Sequence, residues 1–213
     1  MPPEDTRTNI CPNCGAELKK VPGAKTKCPS CSRYIFVRTD PRINARSIVG
    51  EDHLEEVDDA IAVANGTWAA RKAEKEHRAR AVSALTKQFG TMPNQADVNW
   101  RTWNEDFLTA AVKRDTNTMF AASWKMVEQL GRERRYTDAV AIAARGIVMN
   151  WVDFDHEVLP AWTDSITKAI KSGISLTEAR DLFVTGAAAV AVIPKYKVDV
   201  DRVWQDVVKA LGT

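Results

Sequence analysis

The sequence predicts a small β zinc ribbon followed by an all-α helical domain of six to seven helices. Two observations support this fold class. All four cysteines of the 213-residue chain lie within residues 11–31 as two Cys-x-x-Cys pairs. Beyond residue 51, apolar residues recur at helical spacing between stop signals. We therefore expect a zinc ribbon at residues 1–38, a linker at 39–50 and an all-α domain at 51–213.

The cysteines have the spacing of a structural metal site. Cys11 and Cys14 form one pair, and Cys28 and Cys31 form the other. Two residues between paired cysteines let a tight turn aim both sulfurs at one ion, and two such turns complete a tetrahedral four-thiolate site. We expect these residues to hold one structural Zn²⁺ per chain, with no coordination position left open for chemistry.

Other uses of the cysteines fit less well, although iron remains open. A thioredoxin-like redox pair needs a βαβ context, and two disulfides need an oxidising compartment. A rubredoxin-type iron centre would accept the same four thiolates. Because about forty residues bury little core, the metal is expected to supply most of the folding free energy of the ribbon.

The residues that follow each cysteine pair predict local structure. Gly15 tolerates a positive φ, whereas Ser32 at the matching place of the second pair is expected to be slightly strained. Residues 34–37 are aromatic and β-branched and predict a β-strand. Pro41 then favours irregular structure, so that residues 39–50 are interpreted as a linker.

Basic residues concentrate on the ribbon. The whole chain has a net charge of only +2, but residues 1–46 contain nine Lys or Arg against four Asp or Glu. Basic side chains interleaved with aromatic ones suit a phosphate backbone with unstacked bases. A solvated lysine surface around a minimal aromatic core explains the same pattern. The candidate contact residues for nucleic acid or a partner protein are Lys25, Lys27, Arg33, Tyr34, Phe36 and Arg38.

The rest of the chain predicts helices separated by recognisable breaks. Residues 52–89 have helical spacing, and Asn65-Gly66 is expected to break or bend this helix. Trp100, Trp103 and Phe107 share one stripe of the next helix, which is typical of a packed core. Further helix starts are predicted near Asn94, Thr116, Thr137, Glu157, Ser175 and Asp199, and stop signals at Gly131, Gly173 and Pro194.

No catalytic residue is predicted, and we expect a protein that is not an enzyme. The three histidines are scattered along the chain. Residues 153–157 contain three acids and His156, which could form a hard-metal site, but an acidic helix N-terminus is the favoured interpretation. The sequence contains no Gly-rich phosphate loop, Gly-x-Ser-x-Gly elbow or His-Glu-x-x-His motif.

The ribbon resembles that of a group of uncharacterised proteins from bacteria and their phages. The resemblance rests on the strings Cys11-Pro-Asn-Cys14-Gly-Ala-Glu-Leu18 and Tyr34-Ile-Phe-Val-Arg38-Thr, with a fainter likeness over residues 97–140. In that group a zinc ribbon leads through a linker to a helical region. The resemblance implies an association with mobile elements and brings no known activity.

Together these features predict a zinc-ribbon binding or adaptor protein, phage or mobile-element associated, that contacts nucleic acid or a protein partner. The alternative is a structural or assembly component of a virion or another multi-subunit particle. No apolar run is long enough to span a bilayer and no signal peptide is recognisable, so we expect no membrane contact and a location in the cytoplasm of a bacterial host or in a phage particle. The oligomeric state is left open.

Overall fold

The computed structural model describes residues 2–212. The chain divides into two compact units, Met1–Ala79 and Arg80–Thr213. The first contains a small β-sheet and the largely helical residues 51–79, and the second is helical. The order of a small β region followed by a helical body agrees with the prediction, whereas the division falls at residues 79–80 and not at the predicted start of the all-α domain at residue 51.

The N-terminal unit is built on a four-stranded sheet with the order β1-β4-β3-β2. The central strands β3 and β4 are antiparallel, with Ile35 opposite Gly50 and Asp40 opposite Ala45. β2 pairs antiparallel to β3, and β1 pairs parallel to β4. The strands are β1 Glu4–Asp5, β2 Thr26–Lys27, β3 Tyr34–Asp40 and β4 Ala45–Gly50.

Residues 39–50, for which the sequence predicts a linker, are part of this sheet. Residues 39–40 end β3, residues 41–44 form a turn, and Ala45–Gly50 form β4. Pro41 is the first residue of a hairpin turn here. The restricted φ of proline is compatible with such a turn as well as with a linker. The proline therefore marks a chain reversal within the sheet, and the linker prediction is wrong for this segment.

The first helix, α1 (Glu51–Ala64), follows β4 without an intervening segment and packs on β3 and β4. The predicted break at Asn65-Gly66 is confirmed: Asn65 caps α1, Gly66 has a φ of +71°, and α2 (Trp68–Phe89) begins two residues later. This break gives eight α-helices among residues 2–212, where the sequence predicts six to seven.

The C-terminal unit is organised around α5, whose residues are buried over most of its length. α5 packs against α4, α6 and α7. Gly146 and Gly186 permit this packing, because a Cβ on Gly146 would lie 2.3 Å from the ring of Trp162 and one on Gly186 would lie 1.9 Å from the carbonyl oxygen of Ala141. The helices are α3 Gln95–Lys113, α4 Thr116–Arg132, α5 Tyr136–Asp153, α6 Pro160–Lys171, α7 Leu176–Ala188 and α8 Val200–Leu211, with a 3₁₀ helix at Pro194–Tyr196.

Several predicted helix ends are confirmed. Ser175 and Glu178 form the expected capping box, and the Asn94 and Asp199 side chains accept hydrogen bonds from the first turns of α3 and α8. Gly131 lies inside α4 and does not stop it, because the helix continues to Arg132.

The acidic segment 153–157 does not form a helix N-terminus. α5 ends at Asp153, and α6 begins only at Pro160. The Asp153 carboxylate accepts a hydrogen bond of 2.9 Å from the Tyr196 hydroxyl and forms an ion pair of 2.6 Å with the Lys195 ammonium. This carboxylate therefore anchors the 3₁₀ helix to the end of α5.

Candidate metal centre

The four cysteine sulfurs lie together in the N-terminal unit, all within 4.8 Å of one another. The Sγ atoms of Cys14 and Cys28 are 3.8 Å apart, and those of Cys11 and Cys31 are 4.0 Å apart. A disulfide bond would require about 2.05 Å, so these residues are free thiols. No other group of three or more His, Cys, Asp or Glu side chains with this proximity occurs among residues 2–212.

Both cysteine pairs sit on turns with the same hydrogen bonds. In the first turn, the Cys11 N–H donates to the Ala16 carbonyl at 2.8 Å and the Gly15 N–H donates to the Cys11 carbonyl at 2.9 Å. The second turn repeats both bonds at 2.9 Å, from the N–H groups of Cys28 and Ser32. The repeated geometry aims two sulfurs from each turn at one point.

Gly15 and Ser32 occupy equivalent positions in the two turns, and both adopt left-handed backbone conformations. Their φ values are +74° and +59°. Glycine adopts this region without a steric penalty, whereas a residue with a Cβ loses about 1 kcal/mol there. The strain expected at Ser32 therefore has a geometric basis, and the turn forms in spite of it.

The surroundings of the thiols change their pKa values in opposite directions. Backbone N–H groups of Cys31 and Ser30 lower the pKa of Cys28 to about 6. The Ala16 N–H lowers the pKa of Cys14, but hydrogen bonds with the other thiols and burial outweigh it and raise this pKa to about 12. Crowded thiolates resist ionising together, and a bound cation removes that resistance. The donor set therefore fits a metal ion.

Asn13, inside the first Cys-x-x-Cys turn, connects that turn to two other elements. Its Nδ2 donates to the Tyr34 carbonyl at the start of β3 at 2.9 Å, and its Oδ1 accepts from the Glu51 N–H at the start of α1 at 3.0 Å. A Cβ on Gly50 would lie 2.6 Å from this Oδ1, so the close approach requires glycine. Sequence reasoning missed Asn13 and Gly50, because nothing in the local pattern links residues so far apart.

The second turn is connected to α1 through Arg33 and Tyr34. The Arg33 guanidinium lies 3.0 Å from the Glu51 carboxylate and 2.6 Å from that of Asp52. The Tyr34 N–H donates to the Glu51 carboxylate at 2.8 Å. The Tyr34 N–H and the Arg33 guanidinium lower the pKa of Glu51, and Arg33 also lowers that of Asp52. Both metal-site turns are thus bonded to the N-terminus of α1.

The structure separates the six candidate contact residues into two groups. Arg33 and Arg38 point to α1, where Arg38 forms an ion pair of 2.6 Å with Asp58. Lys25 and Lys27 lie over the exposed ring of Tyr34, with ammonium-to-centroid distances of 4.2 and 5.0 Å. The sixth residue, Phe36, has its ring centroid 5.2 Å from the Lys25 ammonium and 6.2 Å from the centroid of Tyr34.

The segment between the cysteine pairs, residues 15–27, carries four exposed lysines and is called the lysine loop below. These lysines line a concave surface that encloses a volume of about 600 Å³. No acidic residue lines this concavity. None of them forms an ion pair with another residue of the described part of the chain. Glu17, the acidic residue of the loop, accepts a hydrogen bond from Asn9. The four are Lys19, Lys20, Lys25 and Lys27.

Arginine side chains brace the lysine loop from the sheet side. Arg7 donates to the Pro22 carbonyl at 3.1 Å and also pairs with Asp5. Arg46 donates to the Gly23 carbonyl at 3.4 Å. Arg7 and Arg46 are therefore used within the fold, whereas the four lysines of the loop form no ion pair there.

Comparison with models of protein families, with curated proteins and with solved structures gave no match. The resemblance to bacterial and phage proteins accordingly stays a prediction. No helix within residues 2–212 combines the length and the apolar character that crossing a membrane requires.

Proposed function

We propose that Cys11, Cys14, Cys28 and Cys31 hold one structural Zn²⁺. A regular tetrahedron with Zn–S bonds of about 2.3 Å has edges of about 3.8 Å. Two of the sulfur separations, at 3.8 and 4.0 Å, are close to those edges, and all four sulfurs lie within 4.8 Å of one another. Four protein thiolates fill the coordination sphere, so this zinc would stabilise the fold and take no part in chemistry.

The zinc proposal is tested by metal analysis of the purified protein and of Cys28→Ser. We expect one zinc per chain in the parent and a loss of zinc in the variant, because three thiolates leave the site incomplete. Ser30→Ala is the matched control in the same turn and should keep the metal. A stoichiometric content of iron, or zinc retained by Cys28→Ser, would contradict the proposal.

We further propose that this metal-stabilised unit binds nucleic acid through the lysine loop. The observation that supports it is the unequal use of the basic side chains: nearby arginines are paired within the fold, whereas four lysines line one concave surface that no acidic residue lines. Unpaired ammonium groups in one concavity attract a chain of phosphates and release its counterions.

The metal site would fix the shape of this binding surface. The lysine loop begins directly after Cys14 and ends directly before Cys28, so one metal ion would close the loop at both ends. Fixing the two ends limits the positions that the four ammonium groups can adopt. Binding to nucleic acid is then expected to depend on the metal although the metal never contacts the nucleic acid.

The binding proposal is tested by fluorescence anisotropy with labelled oligonucleotides between 50 and 200 mM salt. If about four phosphates are contacted, log K should fall with log salt with a slope of about −3 on a single strand. Lys19→Gln and Lys20→Gln should each reduce the slope by about 0.7. Lys113→Gln, exposed on α3, is the matched control and should leave it unchanged.

Two outcomes would overturn this proposal. One is the absence of salt-sensitive binding by folded protein that contains its metal. The other is complete competition by polyglutamate at equal charge, which would favour an acidic protein partner in place of nucleic acid.

A further inference from the structure

We infer that the nucleic acid bound by the lysine loop is single-stranded, with one base stacked on the ring of Tyr34. This inference rests on the proposed nucleic-acid function and names the class of strand. It starts from the arrangement of two lysines and two aromatic rings on one face of the sheet.

The strand pairing places these four side chains together. Lys27 is the cross-strand partner of Tyr34, and Thr26 is the partner of Ile35. Because side chains alternate between the faces of a sheet, Lys27 and Tyr34 share the face opposite to the buried Ile35. Residues two positions away, Lys25 and Phe36, extend the same face. The distances confirm this, since the Lys25 ammonium lies 4.2 Å from the Tyr34 centroid and 5.2 Å from that of Phe36.

This arrangement leaves both the charges and the ring without a strong partner. Lys25 and Lys27 are two like charges over one ring, and neither forms an ion pair with a carboxylate of the described residues. An exposed contact between an ammonium and an aromatic ring is weaker than the stacking of a nucleobase on that ring. A base can therefore displace the ammonium groups from Tyr34.

The displaced lysines remain within reach of the phosphates next to that base. A stacked base brings its own phosphodiester backbone to the ring, and each ammonium then exchanges a weak ring contact for a phosphate contact. Tyr34 is 37% exposed, which leaves part of its ring accessible, whereas Phe36 is half-buried and supports it. At this end of the loop we therefore expect one base stacked on Tyr34 and two phosphates in contact with Lys25 and Lys27.

A duplex cannot use this feature. Its bases are stacked on one another and present only their edges in the grooves, so a ring on a sheet surface finds no base face to cover. Duplex binding would depend on the lysines alone. Single strands are therefore expected to bind more tightly than duplexes of equal length.

The test compares a 12-nucleotide single strand of deoxythymidine, its uridine RNA counterpart and a 12-base-pair duplex on the zinc-containing full chain. Tyr34→Leu should weaken single-strand binding by at least about fivefold while leaving its salt slope unchanged, because it removes stacking and no charge. Tyr34→Trp should restore the affinity. Lys25→Gln should reduce the salt slope on single strands and duplex alike.

A second measurement needs no variant. An abasic strand of equal length keeps the phosphates and lacks the bases, so the parent protein should bind it at least about fivefold more weakly than the deoxythymidine strand. Equal affinities for the abasic strand, the normal strand and the duplex would overturn the inference and leave the lysine-based function intact. A lack of salt-sensitive binding to all four ligands would remove both. The relative affinities of the DNA and RNA strands then identify which of the two is preferred.

Discussion

At the scale of single residues, the Asn13 side chain joins the first metal-site turn to β3 and α1. Both functional groups of the amide are used, one as a donor and one as an acceptor. Gly50 lies against it at the end of β4, where an added Cβ would come within 2.6 Å of Oδ1. The φ of Gly50 is −77°, so the need for glycine comes from the close contact and not from the backbone conformation.

This contact predicts a strong coupling between the two positions. Gly50→Ala should destabilise the N-terminal unit by about 1–3 kcal/mol because it displaces the Asn13 amide. Asn13→Ala alone should cost a similar amount, since it leaves the Tyr34 carbonyl and the Glu51 N–H without this partner. In the double variant Gly50→Ala should add little, because the displaced group is already absent.

Denaturant unfolding of the metal-loaded protein measures these free energies. Asn9→Ala, which removes one exposed hydrogen bond to Glu17, is the control and should cost much less. Fully additive effects of Asn13→Ala and Gly50→Ala would show that the approach of the Asn13 amide is not what limits position 50.

Ser32 offers the opposite kind of change. Ser32→Gly should stabilise the second turn by about 0.5–1 kcal/mol, because glycine adopts the observed φ of +59° without steric strain. Gly15→Ser places the same strain in the first turn and should weaken metal retention. Competition for zinc with a chelator measures both. Equal retention in the two variants would contradict the role assigned to these positions.

The same residues show how far a sequence can predict the site. The two Cys-x-x-Cys pairs are local patterns that encode a turn. The grouping of the four cysteines and the left-handed backbone conformation at Ser32 can therefore be predicted from spacing alone. Asn13 reads as an ordinary turn residue, because its partner at Glu51 lies 38 positions away. Likewise, the local sequence does not indicate that Arg33 and Arg38 form ion pairs with acidic residues of α1 while the lysines of the loop form none.

At the scale of elements, the sequence predicts a ribbon at residues 1–38 and a linker at 39–50, whereas in the structure β4 continues the sheet and α1 follows it directly. Pro41 favours irregular structure in isolation, and only the pairing of Ala45–Gly50 with β3 shows it to be part of a hairpin turn. Most starts in the helical region were predictable, because capping residues and apolar periodicity act over a few positions. The hairpin depends on a partner strand, and single-sequence periodicity does not report such pairing.

The 3₁₀ helix at Pro194–Tyr196 gives a prediction for alkaline pH. Burial, together with the hydrogen bond to Asp153, raises the pKa of Tyr196 to about 12. This pKa is higher in the folded protein than the usual value near 10. The contribution of the neutral phenol to the free energy of unfolding is therefore fully present below pH 10. That contribution, about 2–3 kcal/mol, is lost as the pH rises from 10 to 12.

Tryptophan fluorescence during denaturant unfolding measures this loss, since six of the seven tryptophans lie in the C-terminal unit. Tyr196→Phe should be less stable at neutral pH and should lose less stability between pH 10 and 12 than the parent. Tyr136→Phe, on α5, is the matched control. Identical alkaline profiles for the parent and Tyr196→Phe would exclude this origin.

At the scale of the whole molecule, the two units depend on different sources of stability. The large apolar cluster of the C-terminal unit is drawn from residues 107–207 and contains no cysteine. The corresponding cluster of the N-terminal unit consists of Cys11, Leu18, Cys28 and Ile35, so half of its buried members are proposed metal ligands. A core this small offsets little of the entropy of folding, and we expect the proposed metal to supply the difference.

Removal of the metal with a chelator should therefore act on one unit only. We expect residues 1–50 to become sensitive to protease and nucleic-acid binding to disappear, while residues 95–212 resist digestion and most of the helical circular dichroism remains. Cys28→Ser without chelator should behave in the same way. A complete loss of helical signal on chelation would contradict the separate stabilisation of the two units.

The position of the lysine loop between its two cysteine pairs has a thermodynamic consequence. If the metal holds the loop in the state that binds nucleic acid, the two ligands are linked, and each must tighten the binding of the other by the same factor. The dissociation constant for zinc should then fall when a single strand is bound, by as much as metal loading improves the affinity for that strand. Such a protein would retain its zinc best when nucleic acid is bound. A chelator that removes the zinc would in turn release the nucleic acid.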